Sequence, residues 1–156
     1  MKFPIAFVAL GSILLTPVIR AESTPPANPG MMRHHRKTTE LGKHMEKMGH
    51  AFRALGRQVG DPAKNADSLK LVHTIRTNAE AAAKLKPEKL ADIPADQQAK
   101  FLSDYHKQME VLLDDLGTLE HQLNAGDNAG ASAQFQRVKH DMFQGHKAFR
   151  KKHDEM

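Results

Sequence analysis

The sequence predicts an all-α protein, an antiparallel up-down-up-down four-helix bundle. Apolar residues recur at spacings of three and four along four separate stretches between residues 39 and 149, the period of amphipathic helices. No stretch alternates apolar and polar residues with the period of two that strands require. The stretches are separated by short segments containing glycine or proline, and short connections favour antiparallel neighbours.

The first predicted helix starts after Thr39 and ends at Gly60. Asp61 and Pro62 then offer an N-cap and a first-turn proline for the second helix, which Pro87 ends. The apolar stripe of the first helix is Leu41, Met45, Met48, Phe52, Leu55 and Val59, and that of the second is Leu69, Val72, Ile75, Ala79, Ala82 and Leu85.

The third helix follows a proline-punctuated loop, residues 86–96, and ends at Gly126. Its stripe is Leu102, Tyr105, Met109, Leu112, Leu116, Leu119 and Leu123, with Phe101 beside it. The stripe of the fourth helix is Ala131, Phe135, Val138, Met142, His146 and Phe149.

The N-terminal part of the chain is predicted to precede the bundle. Residues 1–21 carry Lys2, an apolar run and a small residue at Ala21, which is the pattern of a secretory signal peptide. Residues 22–37 are rich in proline and basic residues and are expected to form a flexible lead-in. The pairs Met31/Met32 and His34/His35 could bind metal, but a solvated tail is the favoured interpretation. Residues 38–156 then form one domain.

Composition excludes several kinds of chemistry. The chain has no cysteine, which rules out disulfides, iron–sulfur clusters, thiol redox chemistry and covalent haem attachment through C-x-x-C-H. The net charge of +5 is modest and the charges are interspersed, so nothing argues for nucleic-acid binding.

His146 differs from its two neighbours in the segment "HDMFQGHKAFRKKH", residues 140–153. It falls four residues after Met142 and three before Phe149, on the apolar stripe. His140 falls on the polar side, and His153 lies at the end of the chain. The simplest interpretation of an inward histidine is a core residue hydrogen-bonded to a neighbour, but the bundle topology suggests a second one.

In the predicted topology, the start of the first helix and the end of the fourth share one end of the bundle. Met45 and His146 then stand at the same height, each about 9–11 Å from that end. A thioether and an imidazole facing each other across a dry core are the axial pair that raises the reduction potential of a haem, although a methionine in a helical stripe is more often packing. Phe101, Tyr105, Ala82 and Leu85 are expected at the same end, and Gly145 could leave room for a flat ring.

These residues resemble the cytochrome b562 family over about residues 38–153. "LGKHMEKMGHAFRAL" (41–55) is similar to the first-helix segment of the family, "KPEKLADIPADQQAKF" to the loop before its third helix, and "GHKAFR" (145–150) to its C-terminal segment. The family is a standard example of the up-down-up-down bundle, so the resemblance implies the same fold. Gly145 stands where the family has an aromatic residue, and the basic lead-in is extra.

The resemblance implies a periplasmic electron-transfer protein that binds one non-covalent haem b. It implies Met45 and His146 as axial iron ligands, Arg150 as a basic residue close behind the histidine, and Phe101 and Tyr105 as aromatic residues of the haem pocket. It further implies a monomer with unidentified periplasmic redox partners, no membrane association after signal cleavage and no enzymatic activity. The alternative hypothesis is a haem-free periplasmic helical protein that acts in stress or buffers copper or zinc through its ten histidines.

Overall fold

The structure is a computed structural model that describes residues 38–151. These residues form a four-helix bundle with helices α1 (Glu40–Leu55), α2 (Asn65–Ala83), α3 (Gln98–Ala125) and α4 (Asn128–Phe149), and they contain no strand. Two short 3₁₀ helices, Pro62–Lys64 and Glu88–Asp92, lie in the connections. No helix in this range is long and apolar enough to span a membrane. The predicted signal peptide, the lead-in and His153 lie outside the described residues.

Polar side chains and one glycine mark the helix ends. Thr39 Oγ1 accepts from the backbone N–H of Gly42 at 3.2 Å and Asp61 Oδ1 from that of Ala63 at 3.0 Å. Each thereby satisfies a donor that has no partner within its own helix. Gly126 ends α3 with φ of 73°, the left-handed conformation in which a side chain is strained. The predicted stop of α3 at Gly126 is confirmed. Asp61 was predicted to cap the second helix, but it caps the 3₁₀ helix Pro62–Lys64, and α2 begins at Asn65 without a side-chain cap.

The first helix ends earlier than predicted, at Leu55 rather than at Gly60. Residues 56–60 continue as hydrogen-bonded turns, including Gln58 N–H to the Leu55 carbonyl at 3.0 Å. Val59 stays buried at 6% exposure, so its place in the apolar pattern was correct although it is not helical. Gly56 lies against Phe135, and a Cβ there would come within 2.9 Å of the ring.

The core follows the predicted stripes of the four helices and runs along the bundle axis. It consists of Met48, Ala51, Leu55, Val59, Val72, Ile75, Ala79, Ala82, Tyr105, Met109, Leu112, Leu116, Leu119, Leu123, Ala131, Phe135 and Val138. Met45, Met142 and Phe149 are only partly buried and pack against it from one end.

Polar side-chain contacts join different elements at both ends of the bundle. At one end, Asn65 and Asn128 bond to each other, and they also reach the Leu123 and Val59 carbonyls, so the end of α3 and the turn after α1 meet the starts of α2 and α4. At the other end, the Lys151 ammonium lies 2.8 Å from the Asp92 carboxylate, which ties the residues after α4 to the loop before α3.

The seam between α1 and α4 is the loosest in the bundle. Each helix packs closely on its neighbour in sequence, whereas α1 and α4 are not among the closely packed pairs. They meet where Phe52 stacks on Phe135, with ring centroids 4.4 Å apart and planes 18° from parallel. Toward the start of α1 and the end of α4 the two helices border a cavity.

Candidate functional site

A cavity of about 590 Å³ lies at the end of the bundle where α1 begins and α4 ends. α1, α3 and α4 form its walls, and Pro87 contributes from the loop before α3. A volume of roughly 300–1,000 Å³ with mainly apolar walls is typical of cofactor sites. The apolar lining residues are Leu41, Met45, Met48, Met109, Leu112, Met142 and Phe149.

Met45 and His146 both line this cavity, Met45 from α1 and His146 from α4. Their helices border it from opposite sides of the loose seam. The spacing along each helix explains why both residues face the cavity. Met45 follows Leu41 by four residues and His146 follows Met142 by four, so each lies one turn further along the same helical face as an apolar lining residue. The structure thus brings the two residues to the wall of one cavity.

His146 is exposed at the cavity wall rather than enclosed in the core. The packing around its ring nevertheless lowers its pKa, and the positive charge of Arg150 one turn away lowers it further. Both effects favour the neutral imidazole, which is the form that can donate a lone pair to a metal.

The other histidines of the described range lie elsewhere. His140, His50, His73, His106 and His121 are exposed. His44 is half-buried, and its Nδ1–H donates to Asn78 Oδ1 at 2.9 Å. His44 therefore has a structural partner on α2. Within residues 38–151 no group of three or more His, Asp or Glu side chains is arranged to hold a metal ion.

The two predicted aromatic residues, Tyr105 and Phe101, differ in their position relative to the cavity. Tyr105 lines the cavity, is 2% exposed, and donates through its hydroxyl to the Ala82 carbonyl at 2.8 Å. Phe101 is not among the lining residues and packs edge-on against Phe149, with centroids 5.3 Å apart. Phe149, which the sequence pattern treated as ordinary core, forms that wall.

Glycines flatten the two walls that flank the seam. Gly42 and Gly49 line the cavity from α1, three residues before and four residues after Met45, so all three share one helical face. Gly145 lines it from α4 beside His146, and a Cβ at that position would lie 3.6 Å from Gln108 Cγ, its nearest neighbour. The recurrence of glycine around Met45 was the sequence signal for this smooth wall.

Cationic side chains lie at the rim of the cavity. Arg53, Arg150 and Lys151 are among the lining residues, together with the acidic Glu46 and Glu88. Arg150 forms no salt bridge with another residue of the described range. The guanidinium of Arg150 is therefore available to a carboxylate group at the mouth of the cavity.

A carboxyl pair that the sequence did not reveal joins α3 and α4 beside the cavity. Asp141 lines the cavity from α4, and burial raises its pKa to about 6, with contributions from a hydrogen bond to Asp115 and from that residue's charge. Asp115 also accepts a hydrogen bond of 2.8 Å from the buried side-chain amide of Gln134. The two carboxyl groups come from different helices, so their proximity had no signal in sequence spacing.

Comparison with known families gives one match. A family model described as Cytochrome b562 matches residues 40–150, which includes all four helices of the bundle. A search of curated proteins finds no match to the chain.

Proposed function

Because the chain belongs to the cytochrome b562 family, we propose that it is an electron-transfer protein that holds one haem b between α1 and α4, with Met45 and His146 as axial ligands. The observation that supports this most directly is the shared cavity. A thioether on one helix and an imidazole on another line the same apolar space, at the one seam of the bundle that is not closely packed.

The residues around the cavity fit a flat, largely apolar group that carries carboxylates. The apolar lining and the glycines at 42, 49 and 145 suit a macrocycle, and Tyr105 and Phe149 add aromatic surface. Arg150 and Arg53 at the rim suit the propionate groups, which are anionic. Phe101 supports this wall through Phe149.

The donor set fits one-electron transfer. Met45 and His146 would hold the iron of haem b, which would supply one-electron chemistry at a potential raised by the thioether. The absence of cysteine requires the haem to be held by ligation and burial alone. Two protein ligands leave no coordination position for a substrate, so we propose a carrier rather than an enzyme.

The proposal extends to the cellular context. Residues 1–21 are proposed to direct export and to be removed, which places the carrier in the periplasm with soluble redox partners, as a monomer. The lead-in, residues 22–37, has no assigned role in haem binding.

The test is reconstitution with haemin, followed by a visible spectrum of the reduced protein. We expect one haem per chain and the sharp bands of low-spin, six-coordinate haem. His146→Ala should abolish the low-spin spectrum because it removes the imidazole. His140→Ala is the matched control, since the same residue type on the same helix is exposed and away from the cavity that His146 lines.

A protein that takes up no haem, or that takes it up equally well without His146, would contradict the proposal. Equal loss on changing His140 and His146 would point to a surface metal site on α4 instead.

A further inference from the structure

Phe143 of α4 is the most exposed large apolar side chain among residues 38–151, at 65% exposure. The other such residue is Val111 of α3, at 47%. Single exposed apolar residues are common on protein surfaces. The position of Phe143 and the charges around it distinguish it from an ordinary exposed apolar residue.

The position of Phe143 places it next to the cavity that we assign to haem. It precedes His146 by three residues, which is about 60° around the helix and about 4.5 Å along its axis. It does not itself line the cavity. Phe143 therefore lies on the outer surface beside the wall that carries the proposed ligand.

The charges around Phe143 all have one sign. Its helical neighbours three and four residues away are Lys139, His140, His146 and Lys147, and none is acidic. Lys139 and Lys147 are exposed, and neither forms a salt bridge with another described residue. The corresponding neighbours of Val111 are Lys107, Gln108, Asp114 and Asp115, whose charges are mixed.

Acidic residues are few near this surface. Asp141, the one acidic residue between positions 136 and 151, is paired with Asp115 on the α3 side of α4. Across the seam, α1 contributes one acidic and one basic residue to the cavity lining, Glu46 and Arg53. The charged residues of α4 around Phe143 are therefore predominantly basic.

We propose that Phe143, Lys139 and Lys147 form the docking surface for an acidic electron-transfer protein. The proposal rests on the proposed function, because docking beside His146 matters only if that residue leads to a redox centre. Transient redox complexes have small interfaces, so one exposed aromatic side chain within a cationic rim is of the right scale. Complementary charge at the rim raises the association rate, and salt screens that effect.

The experiment measures the second-order rate at which photoreduced flavodoxin, an acidic one-electron donor, reduces the haem-loaded protein. Stopped-flow traces are recorded at low and at high ionic strength. The variants are Phe143→Ala and the double variant Lys139→Glu/Lys147→Glu. Val111→Ala and Lys107→Glu are the matched controls on α3, outside the haem cavity. Each variant is first checked for an unchanged low-spin spectrum and midpoint potential, and for unchanged reduction by uncharged durohydroquinone.

We expect the double variant to react at least about tenfold more slowly at low ionic strength, with the difference shrinking as salt is added. Phe143→Ala should slow the reaction at both ionic strengths, because the contact it removes is apolar. Both controls should react like the unmodified protein.

Unchanged rates in the double variant, with the haem spectrum intact, would overturn the docking surface and leave the proposed function standing. Failure of the unmodified protein to bind haem would instead overturn both. A parallel sedimentation assay with vesicles containing phosphatidylglycerol tests whether the surface binds anionic lipid instead of a protein. Vesicle binding that the double variant loses, with unchanged flavodoxin rates, would assign the surface to anionic lipid and overturn the protein partner.

Discussion

The hydroxyl of Tyr105 donates a hydrogen bond of 2.8 Å to the carbonyl oxygen of Ala82, joining the first turns of α3 to the last turn of α2. The ring of Phe149 from α4 packs edge-on against the same tyrosine, with centroids 5.4 Å apart. One side chain therefore fixes three helices next to the cavity. Burial also raises the pKa of Tyr105 to about 12.

Tyr105→Phe should lower the free energy of unfolding by about 1 kcal/mol near neutral pH, the usual net value of one hydrogen bond. The effect should fade in alkali. The phenol is ionised more readily in the unfolded chain, so the stability that the neutral form provides is present below pH 10 and is lost as pH rises toward 12.

Urea denaturation of both proteins at neutral and alkaline pH measures the difference. Because Tyr105 is the single tyrosine of the chain, phenolate absorbance reports its pKa directly. Ionisation near pH 10 in the folded protein would contradict the structure.

Asp141→Asn should stabilise the protein more at pH 7 than at pH 4. The raised pKa of Asp141, about 6, means that the fold favours its neutral form. The contribution of that neutral carboxyl is complete below pH 3.8 and is lost as pH rises through 6, whereas asparagine stays neutral throughout.

Denaturation midpoints of the two proteins across this range test the prediction. Asp115→Asn serves as the partner variant, because removing its charge should bring the pKa of Asp141 down. A difference between wild type and Asp141→Asn that does not depend on pH would show that the carboxyl pair does not form.

Replacing glycine by alanine should have opposite effects inside α3 and at its C-cap. Gly126 has φ of 73° with no atom within 4 Å of a new Cβ, so alanine there is strained through its backbone alone and should cost about 1–2 kcal/mol. Gly117 lies within the helix, where the nearest atom to a new Cβ is 3.9 Å away. Alanine should stabilise that position by about 0.5–1 kcal/mol. Thermal melts of both variants measure the changes in stability. Two changes of the same sign would contradict the assigned end of α3.

Met45→His should lower the midpoint potential while leaving the haem low-spin. A second imidazole is a stronger donor to ferric iron than the thioether it replaces. Met48→Leu is the control, since Met48 lines the same cavity but is 3% exposed, and the swap conserves volume and should cost under about 1.5 kcal/mol. Redox titration compares them. Control of the potential by Met48 would mean that the ligand assignment in α1 is wrong.

Local sequence was sufficient to predict the helices and their inward faces. Periodicity of three and four named the core residues from Leu55 to Val138, and the glycine stop signal located the end of α3 at Gly126, because both signals depend on residues close together in the chain. The same local register placed Met45 and His146 on inward faces. It missed the early end of α1, because tight turns after Leu55 keep Val59 buried without a helix.

Contacts between helices could not be predicted in the same way. Beyond the Phe52–Phe135 stack, α1 and α4 border a cavity that Met45 and His146 both line. This arrangement depends on packing between segments that are far apart in the chain. The same holds for Phe149 taking the wall position expected of Phe101, and for Asp141 meeting Asp115. Sequence spacing fixes the direction of a side chain on its own helix, whereas its neighbours on other helices follow from how those helices are spaced and turned against each other.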